Sequence, residues 1–578
     1  MKRKLEALKN KRCVPYIIIT IIGILVSLPL IGLQIRGTDD GWLHLIRIIG
    51  IDNAIKNESF PFLIQPFFCN DWGYSMTAFY PSIVSYVPYF LSIFMGSFIN
   101  GIKIFAAITV ILSGITMYQF LMEITEKKKL ALIGAIVYMI LPYRLENIYN
   151  RFAIGEFTAF VFIPLVFLGL YNLLNGNGKK HYYIAIGATG LMLSHTISTI
   201  YTAVFCLIYI LFNLKLFFKK DVLIKCLINV IFILLISAIF WVPMLEFKQS
   251  AEYAIFEPDA LKTSGKYVAN NTIELWQLLK DKNEENGVSF VIGIPFITML
   301  LLGIFVFKKL DQKLKDLYIT NIVLAVISII MCTKFFPWII MPDFLCTLQY
   351  PWRLLGFALF FLTPICAINV YFLIKEIKNK KTQDGIYMIV ILILFIFTLK
   401  ELSSYQIGYQ TIDSSYEEQI VQNPKIHYFS VNRDYMPLKA LKEQRGYLYT
   451  RTDETYVING EAIISNEEKY GLKMKISLEK AKEGTKLELP YLFYPGYTVK
   501  LVEKSSAETI INTSESENGF LQITIPHDIE NAEIIVNYTG TTIEKTAYIG
   551  SGISVILFIC YIIYFRKKDK EEINERKD

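Results

Sequence analysis

Apolar stretches long enough to be membrane helices recur along almost the whole chain, and that recurrence constrains the fold more than any motif. Ile17–Leu33 is the first, close to the roughly 20 residues that a spanning helix needs. Further stretches are Ile102–Leu121, Leu130–Leu141, Phe157–Leu174, Tyr182–Leu193, Ile197–Leu214, Val222–Val242, Val288–Phe307, Leu317–Cys332, Leu354–Ile374, Ile386–Leu399 and Tyr548–Phe565. Of the 578 residues, 53% are hydrophobic and only 19% charged, a polytopic membrane composition. The net charge of +7 does not indicate a nucleic-acid partner, because Lys and Arg are distributed as short cytoplasmic loops require.

Parity fixes the expected topology. Phe79–Phe98 is apolar but carries Pro81, Pro88, Tyr80, Tyr86 and Tyr89. If it does not cross, Lys127–Lys129, Lys179–Lys180, Lys215–Lys220, Lys308–Lys315, Lys375–Lys381 and Arg566–Lys570 all lie on the side of the basic N-terminus, Lys2 to Arg12. If it crosses, each cluster flips outside, against the positive-inside tendency. We therefore read Phe79–Phe98 as interfacial or re-entrant. The expectation is about twelve spans in a multi-pass protein of the cell membrane, with both termini cytoplasmic. No small-residue cleavage site follows the first span, so it reads as an anchor rather than a signal peptide.

Three units follow: a transmembrane domain over 1–399 with a long first outer loop at 34–101, an extracytoplasmic domain over 400–546, and a final helix with its tail over 547–578. The outer domain reads as β. Lys473–Glu479, Phe520–Ile525 and Ala532–Tyr538 alternate apolar and polar residues, with Gly, Pro and Asn between such runs. It has no Cys, so a sandwich-like core must hold it without disulfides. The eight Cys of the chain include no CxxC pair, which argues against a zinc site. Cys69 and Cys346 both map outside.

The candidate chemistry lies at the outer edge of the spans. Asp39 and Asp40 follow the first span, in Arg36-Gly37-Thr38-Asp39-Asp40-Gly41-Trp42-Leu43-His44-Leu45-Ile46-Arg47. Paired carboxylates are costly beside a bilayer unless they bind cations or do chemistry. If this stretch is helical, Asp40, His44 and Arg47 share one face, while Asp39 points about 100° away. A second outer loop, Pro142 to Glu156, holds Arg144, Glu146, Arg151 and Glu156. Arg binds phosphate bidentately; the alternative is internal pairing, such as Arg151 with Glu156. His195 stands at a span end, and Arg353 closes Gln349-Tyr350-Pro351-Trp352-Arg353 where the tenth span begins. Trp72-Gly73-Tyr74 and Phe79-Tyr80-Pro81 read either as sugar-stacking aromatics or as interfacial anchors. GxxxxGK, HExxH and GxSxG motifs are absent, which argues against an ATP-driven pump or a zinc protease.

With these residues in place, the chain resembles the GT-C superfamily of integral-membrane glycosyltransferases. Asp39 and Asp40 match that superfamily's first acidic motif and Glu156 its second. A nearer resemblance is to the bacterial YfhO-like membrane proteins, some catalogued as 6-pyruvoyl-tetrahydropterin synthase-related. Asp40…His44…Arg47, Phe79-Tyr80-Pro81, Tyr143-Arg144, Arg151…Glu156, Ser194-His195, Gln349-Tyr350-Pro351-Trp352-Arg353 and Tyr494-Pro495-Gly496-Tyr497 occur in the order seen there. The resemblance implies sugar transfer outside the cytoplasm, from a polyprenyl-phosphate-linked donor to an envelope acceptor such as a glycan, a teichoic-acid-type polymer, a lipid or a protein. Asp40, Asp39 and Glu156 would be catalytic. Arg47, Arg151, Arg353 and Arg144 would bind the donor phosphate, with His44, His195 and Tyr80 in support. Asp39, Asp40 and Glu156 would also hold any divalent cation, Mg or Mn, although the second motif has a single Glu rather than Asp-x-Asp. Two alternatives are a flippase for lipid-linked saccharides and a non-catalytic scaffold for envelope assembly.

Overall fold

The computed structural model describes residues 13–256, 263–279, 287–403, 405, 410–422, 433–442, 445–503 and 508–575. Lys2 to Arg12, and with them the basic N-terminal cluster, lie outside the described residues.

Among the described residues, eight helical segments are long and apolar enough to cross a membrane: Val14–Gly32, Phe98–Thr125, Ile154–Leu174, Lys220–Ser250, Gln312–Cys332, Pro351–Lys375, Lys380–Leu402 and Thr542–Lys567. A ninth forms if Lys128–Met139 and Pro142–Tyr149, bent by 42°, are taken as one span. The remaining three of the expected twelve segments are helical but short or interrupted. Tyr183–Met192 has 10 residues and Thr196–Leu211 has 16. The stretch expected to span from Val288 runs without helix to Gly293, then forms Ile294–Leu301 and Gly303–Val306. Ten residues of helix rise only about 15 Å, half a hydrocarbon core. Hydropathy found these segments and overstated their lengths.

We label the helices used below α1 (Val14–Ser27), α2 (Gly41–Lys56), α3 (Ile83–Met95), α4 (Phe98–Thr125), α5 (Lys128–Met139), α6 (Pro142–Tyr149), α7 (Ile154–Leu174), α8 (Tyr183–Met192), α9 (Thr196–Leu211), α10 (Lys220–Ser250), α11 (Gly265–Asn270), α12 (Ile294–Leu301), α13 (Gln312–Cys332), α14 (Leu355–Lys375), α15 (Lys380–Leu402), α16 (Gln410–Gln422) and α17 (Thr542–Glu575). Helix α4 packs on α5 and α7, α14 packs on α5 and α13, and α10 packs on α17. The spans Ile154–Leu174 and Pro351–Lys375 are 89% and 78% buried, against 56% or less for the other six, so they form the centre of the bundle. Glu156 and Arg353 sit at the starts of these two central spans.

The segment between the first span and α4 folds inward. Along α2, His44 through Ile51 are all buried, the pattern of a helix with no solvent face. Helix α3, the ambiguous Phe79–Phe98 segment, has 13 residues with Pro88 inside and is too short to span.

The β domain begins later than expected, at Tyr456 rather than Lys400. Between them the described residues include helices, among them α16. Strands β1 (Tyr456–Asn459), β2 (Ala462–Tyr470), β3 (Lys473–Ala481), β4 (Lys486–Leu492), β5 (Tyr497–Glu503), β6 (Glu508–Ile511), β7 (Thr513–Glu515), β8 (Phe520–Thr524) and β9 (Ile529–Tyr538) form two sheets. Their orders are β1-β4-β8-β7 and β2-β3-β9-β5-β6, with every neighbouring pair antiparallel. Met474, Ile476 and Leu478 of β3 point inward opposite Val536, Ile534 and Ala532 of β9, as the alternation predicts. All eight Cys are free, Cys69 and Cys346 included.

Trp72 fastens this domain to the first loop, and the Tyr74 hydroxyl accepts from the Tyr435 amide at 3.1 Å. Trp72 is buried edge-on against Phe520, and its carbonyl accepts from the Leu492 amide. Tyr494 stacks on Tyr253 and donates to the Tyr435 carbonyl. On the other flank, α16 reaches back to the first span: Asp413 accepts from the backbone amides of Ile35 and Arg36, and Glu417 accepts from the first amides of α4.

Candidate active site

Asp39 and Asp40 are held by their backbones. The Asp39 amide donates to the Asn150 carbonyl at 3.3 Å and the Asp40 amide to the Arg151 carbonyl at 2.9 Å. Asp40 is the residue before α2. Its carbonyl accepts from the Leu43 and His44 amides, but its carboxylate makes no capping bond. That carboxylate lines a cavity of about 450 Å³ together with Asp39, Arg151, Arg353, Tyr350, Trp352 and Phe290. Asn270, Asn271, Thr272 and Gln277 complete the polar lining from the loop that follows α10. Two carboxylates, two guanidiniums and a cluster of aromatic rings thus share one chamber.

Burial pushes the Asp40 carboxyl above its ordinary value, opposed by Arg151 and Arg353. Asp39 is raised too, by burial and then by the adjacent Asp40. A carboxylate with raised proton affinity is a better general base than one in water.

Each guanidinium is positioned separately. Arg151 donates to Glu156 Oε2 at 2.8 Å and to Asn147, and lies 4.7 Å from the Trp352 ring. Glu156 also accepts from the Tyr143 hydroxyl. Gly155 lets the first turn of α7 approach the Ser194–His195 segment closely: a Cβ there would lie 2.8 Å from the Ser194 carbonyl oxygen and 2.9 Å from the His195 ring. Arg353 donates to the Leu348 carbonyl at 3.1 Å and to Gln349 at 3.3 Å, while its Nε is buried without a hydrogen-bond partner.

The other expected site residues stand outside the chamber. Glu156 is behind the wall, engaged by Arg151 and Tyr143, in the internal pair that was the alternative reading. Arg47 and His44 do share a face and meet at 2.8 Å, but both are buried and neither lines the cavity. The Arg47 guanidinium lies 3.7 Å from the Tyr80 ring. Burial and Arg47 lower the proton affinity of His44, so it is neutral. Arg144 points into the bundle, donating to the Thr109 carbonyl and facing Phe160. His195 caps α9 through the Ser198 amide. Among the described residues no group of three or more His, Cys, Asp or Glu could hold a metal ion. Asp39 and Asp40 do not gather with Glu156 into the expected cation set, because Arg151 claims Glu156.

Asn270, Asn271 and Gln277 were missed by sequence reasoning. Their only signal is the adjacent pair of carboxamides at 270 and 271.

A family model described as 6-pyruvoyl-tetrahydropterin synthase related domain, membrane protein, matches residues 77–406. The chain is 22% identical to a protein of Lactococcus lactis subsp. cremoris (strain MG1363), described as uncharacterized, over 97% of this chain and 96% of that one. Among solved structures it is similar to the archaeal oligosaccharyltransferase AglB from Archaeoglobus fulgidus in complex with an inhibitory peptide and a dolichol-phosphate. The identity is 14% and the TM-score 0.38, over 68% of this chain and 56% of that one. For the apo form of the Archaeoglobus fulgidus oligosaccharyltransferase the values are 15%, 0.41, 69% and 57%. The chain thus spans little more than half the length of those two enzymes.

Proposed function

We propose that this chain, which belongs to the 6-pyruvoyl-tetrahydropterin synthase related family of membrane proteins, is a glycosyltransferase. It moves a sugar from a polyprenyl-phosphate donor to an envelope acceptor on the extracytoplasmic face. The observation that carries this reading is the sharing of one cavity by Asp39, Asp40, Arg151 and Arg353. A transfer of this kind needs a base for the acceptor hydroxyl and cations for the departing phosphate, a few ångströms apart.

Asp40 is the base. As the acceptor oxygen bonds to the anomeric carbon, its proton passes to the Asp40 carboxylate, and the bond from that carbon to the phosphate oxygen breaks with its electron pair on oxygen. Attack opposite the leaving group inverts the centre. Arg151 and Arg353 take up the charge gained by the phosphate. Arg353 precedes the N-terminus of α14, where backbone dipoles favour an anion and a lone cation is misplaced. Its unpartnered Nε is therefore consistent with a site that completes itself on a phosphate. Glu156 positions Arg151.

The test is transfer by the purified protein in nanodiscs, with radiolabelled polyprenyl-phosphate hexose and envelope extract as acceptor source. Label should move to a chloroform-insoluble product with wild type and not with Asp40→Asn. Equal transfer by both proteins would exclude Asp40 as base. Translocation of the lipid-linked sugar without transfer would support a flippase instead.

A further inference from the structure

The loop that joins α13 to α14 has an apolar surface. Phe335, Ile339, Ile340 and Phe344 are between 60% and 76% exposed. From Phe335 to Tyr350 the sole charged residue is Asp343. Four large apolar groups on one short connection make a patch that water disfavours.

This connection is not alone. The Ile273 amide donates to the Cys332 carbonyl at 2.9 Å, and Lys334 pairs with Glu274 at 2.9 Å. Gly265, at the start of α11, lies so close that a Cβ there would stand 2.5 Å from the Trp338 carbonyl oxygen. Two loops are thereby locked into one cap. Asn270, Asn271 and Gln277 face the cavity from it, while Leu275 and Leu279, 48% and 66% exposed, extend the outward apolar surface. The cap is polar toward the chamber and apolar away from it.

We propose that this two-loop cap is immersed in the outer leaflet of the bilayer, with Ile339, Ile340 and Phe344 among the acyl chains, and forms a lipid-side wall of the active-site chamber. The occupant follows from continuity. The loop leaves one spanning segment at Cys332 and enters the next at Pro351, so its apolar surface joins the lipid-facing belt of both. The near absence of charge from Phe335 to Tyr350 fits hydrocarbon, where ionised groups are costly. Membrane immersion does not depend on the catalytic reading. Its consequence does: a wall in lipid would let the tail of a lipid-linked donor stay in the leaflet while its phosphate reaches Arg353.

The experiment places a nitroxide at Ile340, through Ile340→Cys in a cysteine-free full-length protein, in phosphatidylethanolamine and phosphatidylglycerol nanodiscs. Collision with oxygen should exceed collision with a water-soluble nickel chelate, as for acyl-chain depths. Nickel access equal to that of a label at the exposed Lys480 of β3 would overturn the proposal. Trp276→Phe provides a check that keeps the native cysteines: wild type should carry a tryptophan signal, lost in this variant, that acyl-brominated lipids quench. An unquenched Trp276 signal would overturn the proposal as well. In the transfer assay, the Ile339→Ser/Ile340→Ser double variant should raise KM for the lipid donor severalfold and leave kcat unchanged. An unchanged KM would remove the role in donor entry, whereas no transfer by wild type beside an immersed label would sink the catalytic reading and leave the immersion standing.

Discussion

The backbone amide of Asp40 donates to the backbone carbonyl of Arg151 at 2.9 Å. That bond joins two loops separated in sequence by α4 and the bent pair α5–α6, and it sets the proposed base and the proposed phosphate-binding cation beside each other without using either side chain. Replacing the Asp40 carboxylate should therefore leave the junction intact. Asp40→Asn should insert normally and bind lipid-linked donor, and it should lose about 10²–10⁴-fold in kcat, roughly 3–5 kcal/mol of barrier. Asp39→Asn should lose less. A dead Asp39→Asn beside an active Asp40→Asn would exchange the two roles.

The pH profile follows from the same burial. A base acts when deprotonated, and burial holds Asp40 above the ordinary carboxylate value. Activity should fall as pH drops through this raised value, so the acid limb of kcat/KM should lie above that of a solvent-exposed aspartate. An acid limb at the exposed-aspartate position would contradict the assignment.

Arg151 and Arg353 should separate when mutated. Arg151→Ala strands a buried Glu156 and should cost about 3–5 kcal/mol of stability, read as a lower Tm in detergent. Arg353 has no carboxylate partner within salt-bridge distance among the described residues. Arg353→Ala should thus change Tm less, and it should weaken donor binding and turnover together, because a phosphate contact acts in both ground and transition states.

The sequence located the chamber by residue type but did not assign every residue to it. Carboxylates and guanidiniums beside membrane helices are costly wherever they occur, so Asp40, Arg151 and Arg353 were conspicuous. The same rule also flagged Arg47 and Arg144, which lie buried against Tyr80 and Phe160. Spacing gives a helical face but not what packs on it. Because α2 starts at Gly41, Asp40 ends outside the helix whose face it was expected to share. Alternation revealed the β strands, whose period is local. The helix α16 between the last long span and the sheets has a mixed pattern, and its partners Ile35 and Phe98 lie more than 300 residues away.

Topology is testable without activity. If the short basic loops face the cytoplasm, a cysteine at Lys179 should be protected in intact cells and one at Lys480 labelled by an impermeant maleimide. Equal labelling at both positions would reject that orientation and the outer location of the chamber.

The last prediction concerns Asp413, which is fully buried and accepts from the Ile35 amide at 2.6 Å and the Arg36 amide at 3.3 Å. Lys103 stands 3.8 Å away, itself nearly buried, and balances the charge. These amides precede Asp39 by only a few residues, so α16 restrains the turn that presents the carboxylates. Asp413→Ala removes the acceptor for one buried and one part-buried donor and the partner of a buried cation. An unmade buried hydrogen bond costs roughly 1–3 kcal/mol, more where a charge is left behind, so Tm should fall. Asp413→Asn keeps an acceptor oxygen and should recover much of that stability. Its turnover should still fall below wild type with little change in donor KM, because the carboxylates lose alignment while Arg353 is untouched. If Asp413→Asn restored stability and full turnover together, α16 would be a structural brace with no part in presenting the base.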